Sequence, residues 1–297
     1  MNATAVDRLL ERVSAGENLS AADITELASA DILSVGMLAD AVRRRLRGTQ
    51  VTYVRVAACP FDGSFASLVP LTAREVRITG TPPTLDIARS AIQSAKAVAG
   101  ERVVSGFSWL DVVRLAATDG TTEDAVAAAF RVSGLDALAE LPLDALADAH
   151  EALGILVHAG FRNIRLTILD APAADRTPLL LQAAALQTQF PAIHVLNPLP
   201  TAVHEARPTT GYEDVRAVAL ARLAAPDIQT IQVDWQRYGP KLAQVALTFG
   251  ADDLDNVTVS EEAPDGHRRA PLEEVRRNIE AAGFSAVERD GRFTVIS

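Results

Sequence analysis

The stretch VTYVRVAACPFDGSF, residues 51–65, holds the first decision about this chain's fold. Val51, Tyr53, Val54 and Val56 are β-branched or aromatic and predict a buried strand over 51–57. Cys59-Pro60 and Asp62-Gly63 end the run and open a loop. From here the chain alternates. Further strands are predicted at 75–79 (EVRIT), 102–106, 135–139, 163–169, 192–196 and 228–233, with a less regular eighth near 256–260. Helices are predicted between them at 84–98, 109–118, 121–132, 143–159, 175–189, 211–224 and 239–249. Eight strand–helix steps point to a parallel sheet closed, or nearly closed, into a TIM-type (β/α) barrel. Only 14 residues, 61 to 74, separate strands one and two. That is short for a right-handed parallel crossover, so a modified or incomplete barrel with an open or distorted mouth is expected.

Upstream, residues 1–48 read as a helical extension. Val6, Leu9, Leu10 and Val13 recur at helical spacing, Ser20 and Asp23 form an imperfect capping box for 21–29, and Asp31 caps 32–47, which Gly48 stops. Residues 49–262 form the barrel. Residues 263–297 read as a small α/β appendage: helix 271–282, then strands 285–289 and 292–296 joined by Asp290-Gly291, a hairpin signal.

Composition narrows the function. The net charge of −10 and the lack of a long basic run argue against nucleic acid. No apolar run is long enough to cross a bilayer, no secretion signal is legible, and one cysteine excludes an internal disulfide. A soluble, cytoplasmic protein is expected.

Three segments carry a resemblance. They are Gly16–Ser20 (GENLS) with Ala41–Gly48 (AVRRRLRG) leading into VTYV, then Trp109–Leu138, and then Gly239–Asp255 (GPKLAQVALTFGADDLD) followed by Glu261-Glu262. The turn Asn197-Pro198-Leu199-Pro200 adds a fourth. In this order they resemble the radical-SAM enzymes of the futalosine route to menaquinone, aminofutalosine synthase and dehypoxanthine futalosine cyclase, whose wider group includes the F420 deazaflavin synthases. The resemblance implies a radical-SAM barrel. It also implies three cysteines in CxxxCxxC spacing after strand one, holding a [4Fe-4S] cluster that binds S-adenosylmethionine. Here that loop reads Ala58-Cys59-Pro60-Phe61-Asp62-Gly63-Ser64-Phe65, with one thiolate donor, whereas such clusters are held by several. The family's glycine-rich turn after strand four is replaced by Ala139–Leu143, and its histidine-containing turn after strand two by Gly80-Thr81-Pro82-Pro83. Neither cluster nor S-adenosylmethionine is therefore expected, and Cys59 reads as a relic.

Candidate ligand-binding residues sit at predicted strand ends and in the densest acidic cluster: Asn197, Asp234, Trp235, Asp252, Asp253 and Glu261. Thr79, Ser108, Glu140 and Asp170 are also expected to line the mouth by the barrel rule. Trp235 and Trp109 could stack on a planar ligand or fill the core; the acids could hold a cation or simply be solvated. The histidines 150, 158, 194, 204 and 267 form no metal-ligand pair and read as surface or loop residues. Gly80-Thr81-Pro82 before helix 84–98 is a weak anion-site signal. Two functions follow from different classes. One is a pseudoenzyme, a non-catalytic or regulatory partner of a homologous radical-SAM enzyme, or of itself, in menaquinone synthesis. The other is a repurposed enzyme or small-molecule binder using the barrel mouth without radical chemistry.

Overall fold

A computed structural model describes residues 3–202, 209–263 and 269–296. Eight parallel strands form the ring: β1 (Gln50–Pro60), β2 (Glu75–Thr79), β3 (Val103–Ser108), β4 (Ala137–Pro142), β5 (Ile164–Ile168), β6 (Ile193–Pro200), β7 (Thr230–Asp234) and β8 (Asp253–Thr258). Each pairs with the next, and β1 pairs with both β8 and β2, so the ring closes. The incomplete alternative does not hold.

The lead-in forms α1 (Ala3–Ser14), α2 (Ala21–Ala28) and α3 (Ile32–Arg47), and the barrel helices are α4 (Phe65–Leu68), α5 (Leu85–Ala99), α6 (Trp109–Asp119), α7 (Glu123–Ser133), α8 (Ala149–His158), α9 (Ala173–Gln189), α10 (Gly211–Ala224), α11 (Trp235–Thr248) and α12 (Pro271–Ala281). Their start signals act as read. Ser20 and Asp23 make a reciprocal capping box, and the Asp31 carboxylate accepts from the Ser34 amide at 2.8 Å. The short first crossover contains only the single turn α4, with Phe65 and Val69 buried beneath it. The ring closes without a full helix there because β1 is long. Its second half, Val56–Pro60, pairs with β2, while its first half projects below β2.

That projecting half is paired by β9 (Ser285–Glu288), which runs parallel to β1 in the register Gln50↔Ser285 to Tyr53↔Glu288. The expected terminal hairpin is present in shortened form. After β9 the chain turns at Asp290-Gly291 and returns antiparallel through the bridge Arg289↔Val295, with the Asp290 amide donating to the Thr294 carbonyl and the Ile296 amide to the Glu288 carbonyl, each at 2.9 Å, while the returning segment is too short to form a full strand. The turn folds beneath the barrel. A Cβ on Gly291 would lie 2.6 Å from Val103 Cβ at the start of β3.

Apolar packing lies between strands and helices. On α5, Ala88, Ala91, Ile92, Ala95 and Ala99 form the buried stripe that faces β2 and β3. The lead-in packs on the outside of the ring, α3 against α10 and α2 against α9 and α10.

Candidate functional site: the barrel lumen and mouth

Strand alternation places a polar face inside the ring. On β2, Val76 and Ile78 are buried outward and Glu75 and Arg77 point inward, as the partners of Arg77 prove. Its guanidinium donates to both oxygens of Asp255 on β8 at 2.9 and 3.0 Å and to Glu75 at 2.6 and 3.1 Å. Ser105 on β3 donates to Glu75. From the far wall, Arg165 on β5 reaches Asp255 at 3.3 Å. Burial pushes the Asp255 carboxyl upward, but Arg165 and Arg77 overcome this and hold it well below the ordinary carboxylate range.

A second layer lies lower. Asp253 receives Arg289 in bidentate geometry at 2.6 and 2.7 Å, Gln232 Nε2 at 2.7 Å and Thr52 Oγ1 at 2.5 Å. The floor is closed by Asp252, which takes Arg47 at 3.0 Å and Arg222 at 2.8 Å, and by the His194 ring against Phe293. His194, expected at the surface or in a loop, is instead half-buried on β6. Burial, with Arg47 and Arg289 nearby, lowers its pKa to about 4.

The sequence-derived candidates do not converge. Asp252 and Asp253 sit at the start of β8, on the floor and lower layer, because the strand begins three residues earlier than expected. They are ion-pair partners, not mouth ligands. Trp235 opens α11 and is buried in the core, as is Trp109 on α6. Glu261 is exposed, in a groove of about 480 Å³ against α12 with Arg55, Arg276 and Arg277. Asn197 is buried on β6, its Oδ1 accepting from the Leu199 amide at 3.2 Å. Only Asp234 stands at the mouth as expected. Its carboxylate caps α11 through the Arg237 amide at 2.9 Å and accepts from Asn256 at 3.2 and 3.3 Å. Burial and the neighbouring Asp255 raise its pKa.

Other mouth positions are occupied by structural contacts. Ser108 caps α6, and Glu140 accepts from Thr201 Oγ1 at 3.2 Å. The amides of Leu169, Asp170 and Ala171 all donate to Asp144, at 2.7, 3.0 and 2.8 Å, so this backbone nest already holds a carboxylate. Before α5, Thr84 takes the Ile87 amide and Asp119 takes the Leu85 amide, which uses up the anion signal read at Gly80-Thr81-Pro82. Ala139–Pro142 form the end of β4 itself, not a turn after it. His204 and His267 lie outside the described residues.

A radical-SAM cluster does not fit the donor set. Cys59 lies inside β1 opposite Ile78 and shares its outward, helix-facing side, while Ala58 is exposed at the mouth. The thiol is fully buried, sits 3.7 Å from the Ala57 carbonyl, and is shifted up by burial, which disfavours the thiolate. Among the described residues no three His, Cys, Asp or Glu side chains are grouped to hold a metal ion.

The scaffold has clear relatives. Residues 198–296 match the family described as the CofH/MqnC C-terminal region. A 5-amino-6-(D-ribitylamino)uracil–L-tyrosine 4-hydroxyphenyl transferase of Archaeoglobus fulgidus is 26% identical over an alignment of 322 positions, covering 87% of this chain and 92% of that protein. That alignment is longer than the chain, so the relative carries segments with no counterpart here. An aminodeoxyfutalosine synthase of Streptomyces coelicolor is 32% identical over 93 residues, 29% of this chain and 24% of that protein. Among solved structures, methylornithine synthase PylB superposes with a TM-score of 0.65 at 14% identity, covering 94% of this chain and 97% of PylB. The hydrogenase maturase HydG superposes with a TM-score of 0.69 at 11% identity, over 97% of this chain and 76% of HydG. These structural likenesses establish the fold: a closed (β/α) barrel. The chain is similar to the CofH/MqnC and aminodeoxyfutalosine synthase proteins, most directly through its C-terminal region.

Proposed function

We propose that this protein is a radical-SAM-type scaffold that works without an iron–sulfur cluster or S-adenosylmethionine, as a non-catalytic or regulatory partner of a homologous radical-SAM enzyme in futalosine- or CofH-type biosynthesis. One observation carries this reading. The only thiol in the chain is buried on the outer face of β1, where a cluster at the mouth would need several thiolates directed inward. The ion pairs of Glu75, Arg77, Arg165 and Asp255 support it, since they cross-link the lumen beneath the mouth. The test is association. Mixed with a homologous radical-SAM enzyme from the same genome, the protein should elute as a complex of defined stoichiometry. Independent elution, with unchanged menaquinone levels in a deletion strain, would remove the reading.

A second reading, a small-molecule site at the mouth, has one observation in its favour. Asp234 with Asn256 places a carboxyl of raised pKa at the rim. The wider set of Trp235, Asp252 and Glu261 gives it no support, because these residues lie apart. An Asp234→Asn variant that abolishes binding of a ligand captured by the intact protein would select this reading.

A further inference from the structure

The crossover from β1 to β2 supplies only the single turn α4, so the outer face of β1 lacks the full helix that ordinarily follows a barrel strand. A groove of about 480 Å³ lies against that face, between β1, the segment after β8 and α12, and its volume is that of a small-molecule site. Arg55 forms its inner wall. The side chain leaves β1 on the same side as Cys59, where apolar groups ordinarily meet a helix. Arg55 is 8% exposed, and its Nε donates to Glu288 Oε1 at 2.7 Å. Its two terminal nitrogens have no acceptor among the described residues, and they are not sealed in the interior but reach the surface of the groove. Guanidinium donors held nine-tenths buried and turned toward a groove point to an acceptor outside the polypeptide.

The charges of the groove are unevenly placed. At the inner wall Arg74 donates to the same Glu288 oxygen at 3.1 Å, so two guanidinium groups share one carboxylate. Burial pushes that carboxyl up, but Arg55 and Arg74 overcome this and hold it below the ordinary range. Arg276 on α12 donates its Nε to the neutral Tyr53 hydroxyl at 3.0 Å and meets no carboxylate among the described residues. Three arginines thus face one acid at the wall. The rim carries the opposite balance. Glu273 is matched by Arg269 and Arg277 at 3.6 and 3.4 Å, while Glu261 and Glu280 are exposed and make no ion pair among the described residues. Glu280 lies one turn beyond Arg276 without reaching it. Around the whole groove five arginines stand against four glutamates, with the positive excess at the wall.

We propose that this groove, on the outside of the ring and separate from the mouth, binds a small hydroxylated organic acid, with its oxyanion between the terminal nitrogens of Arg55 and the guanidinium of Arg276 and its hydroxyl groups toward the carboxylates of Glu261 and Glu280. The guanidinium fork matches two oxygens of a carboxylate or of a phosphate monoester, so the oxyanion is one of these. The acids at the rim disfavour a bare polyvalent anion and accept from hydroxyl donors.

Calorimetric titration of the full chain with glycerol 3-phosphate, and separately with D-glycerate, at ionic strength held constant with chloride, tests the proposal. Saturable one-to-one binding of at least one probe is expected, with a matching rise in the thermal midpoint. The tighter probe tells phosphate from carboxylate. Arg276 is exposed, so Arg276→Gln keeps the fold and should weaken binding about tenfold, the loss of one charge-assisted hydrogen bond. Arg55→Gln should weaken it likewise. Arg89→Gln removes an exposed charge from α5 and should leave binding unchanged. No heat beyond the chloride control with either probe overturns the proposal. So does binding unchanged in Arg276→Gln, or weakened equally in Arg89→Gln, which would mark unspecific charge attraction.

Discussion

Arg77 ties three strands together, and its neighbours show why the lumen was illegible at the residue level. In EVRIT the alternation reads as a strand with an apolar core face and a polar solvent face. In a closed barrel the apolar face meets the helices and the polar face meets the interior, so Glu75 and Arg77 become buried partners of Ser105 and Asp255. Nothing local distinguishes a solvated arginine from one paired across a lumen. Arg77→Met would leave Asp255 with Arg165 and Glu75 with Ser105 as their remaining partners in the interior and is expected to cost about 3–5 kcal/mol, read by urea denaturation at neutral pH. His194 sets an acid limit on stability. Its folded pKa of about 4 lies below the ordinary histidine value, so the unfolded chain binds more protons between about pH 6.5 and 4. Stability from this residue is whole above that window and falls as the pH drops through it. The total is on the order of 2–3 kcal/mol. His194→Gln should flatten the pH dependence over that window. Unchanged acid sensitivity in the variant would contradict this account of the floor.

At the scale of elements, much was legible. The expected helix 211–224 and strand 75–79 match α10 and β2, since caps and alternation act locally. The eighth strand starts three residues before its expected position because two of its first three residues, Asp253 and Asp255, are acids that look like loop and are buried only through Arg289, Arg77 and Arg165 from distant segments. That slip moved the acidic cluster from floor to mouth and misplaced most of the candidate site. The terminal segment keeps its turn, but its second partner, the projecting half of β1, lies more than 200 residues away in sequence and leaves no local signal. Its tight seat makes a prediction. Gly291→Val would drive a side chain into Val103 and should cost about 1–3 kcal/mol, read from the denaturation midpoint.

For the whole molecule, barrel closure was expected to suffer from the short first crossover, yet the ring is intact. The lengthened β1 spans the difference, with β2 on its upper half and β9 on its lower half. Keeping the frame this way leaves a closed barrel whose lumen is cross-linked by its own charges and whose thiol is turned out. The central proposal is that the chain works without an iron–sulfur cluster. Anaerobic reconstitution with iron and sulfide, followed by iron and sulfide analysis and visible absorption of the desalted protein, tests this most directly. The account predicts no stoichiometric iron or sulfide and a spectrum identical to that of Cys59→Ala. A stoichiometric cluster retained by the intact protein and lost in that variant would contradict it.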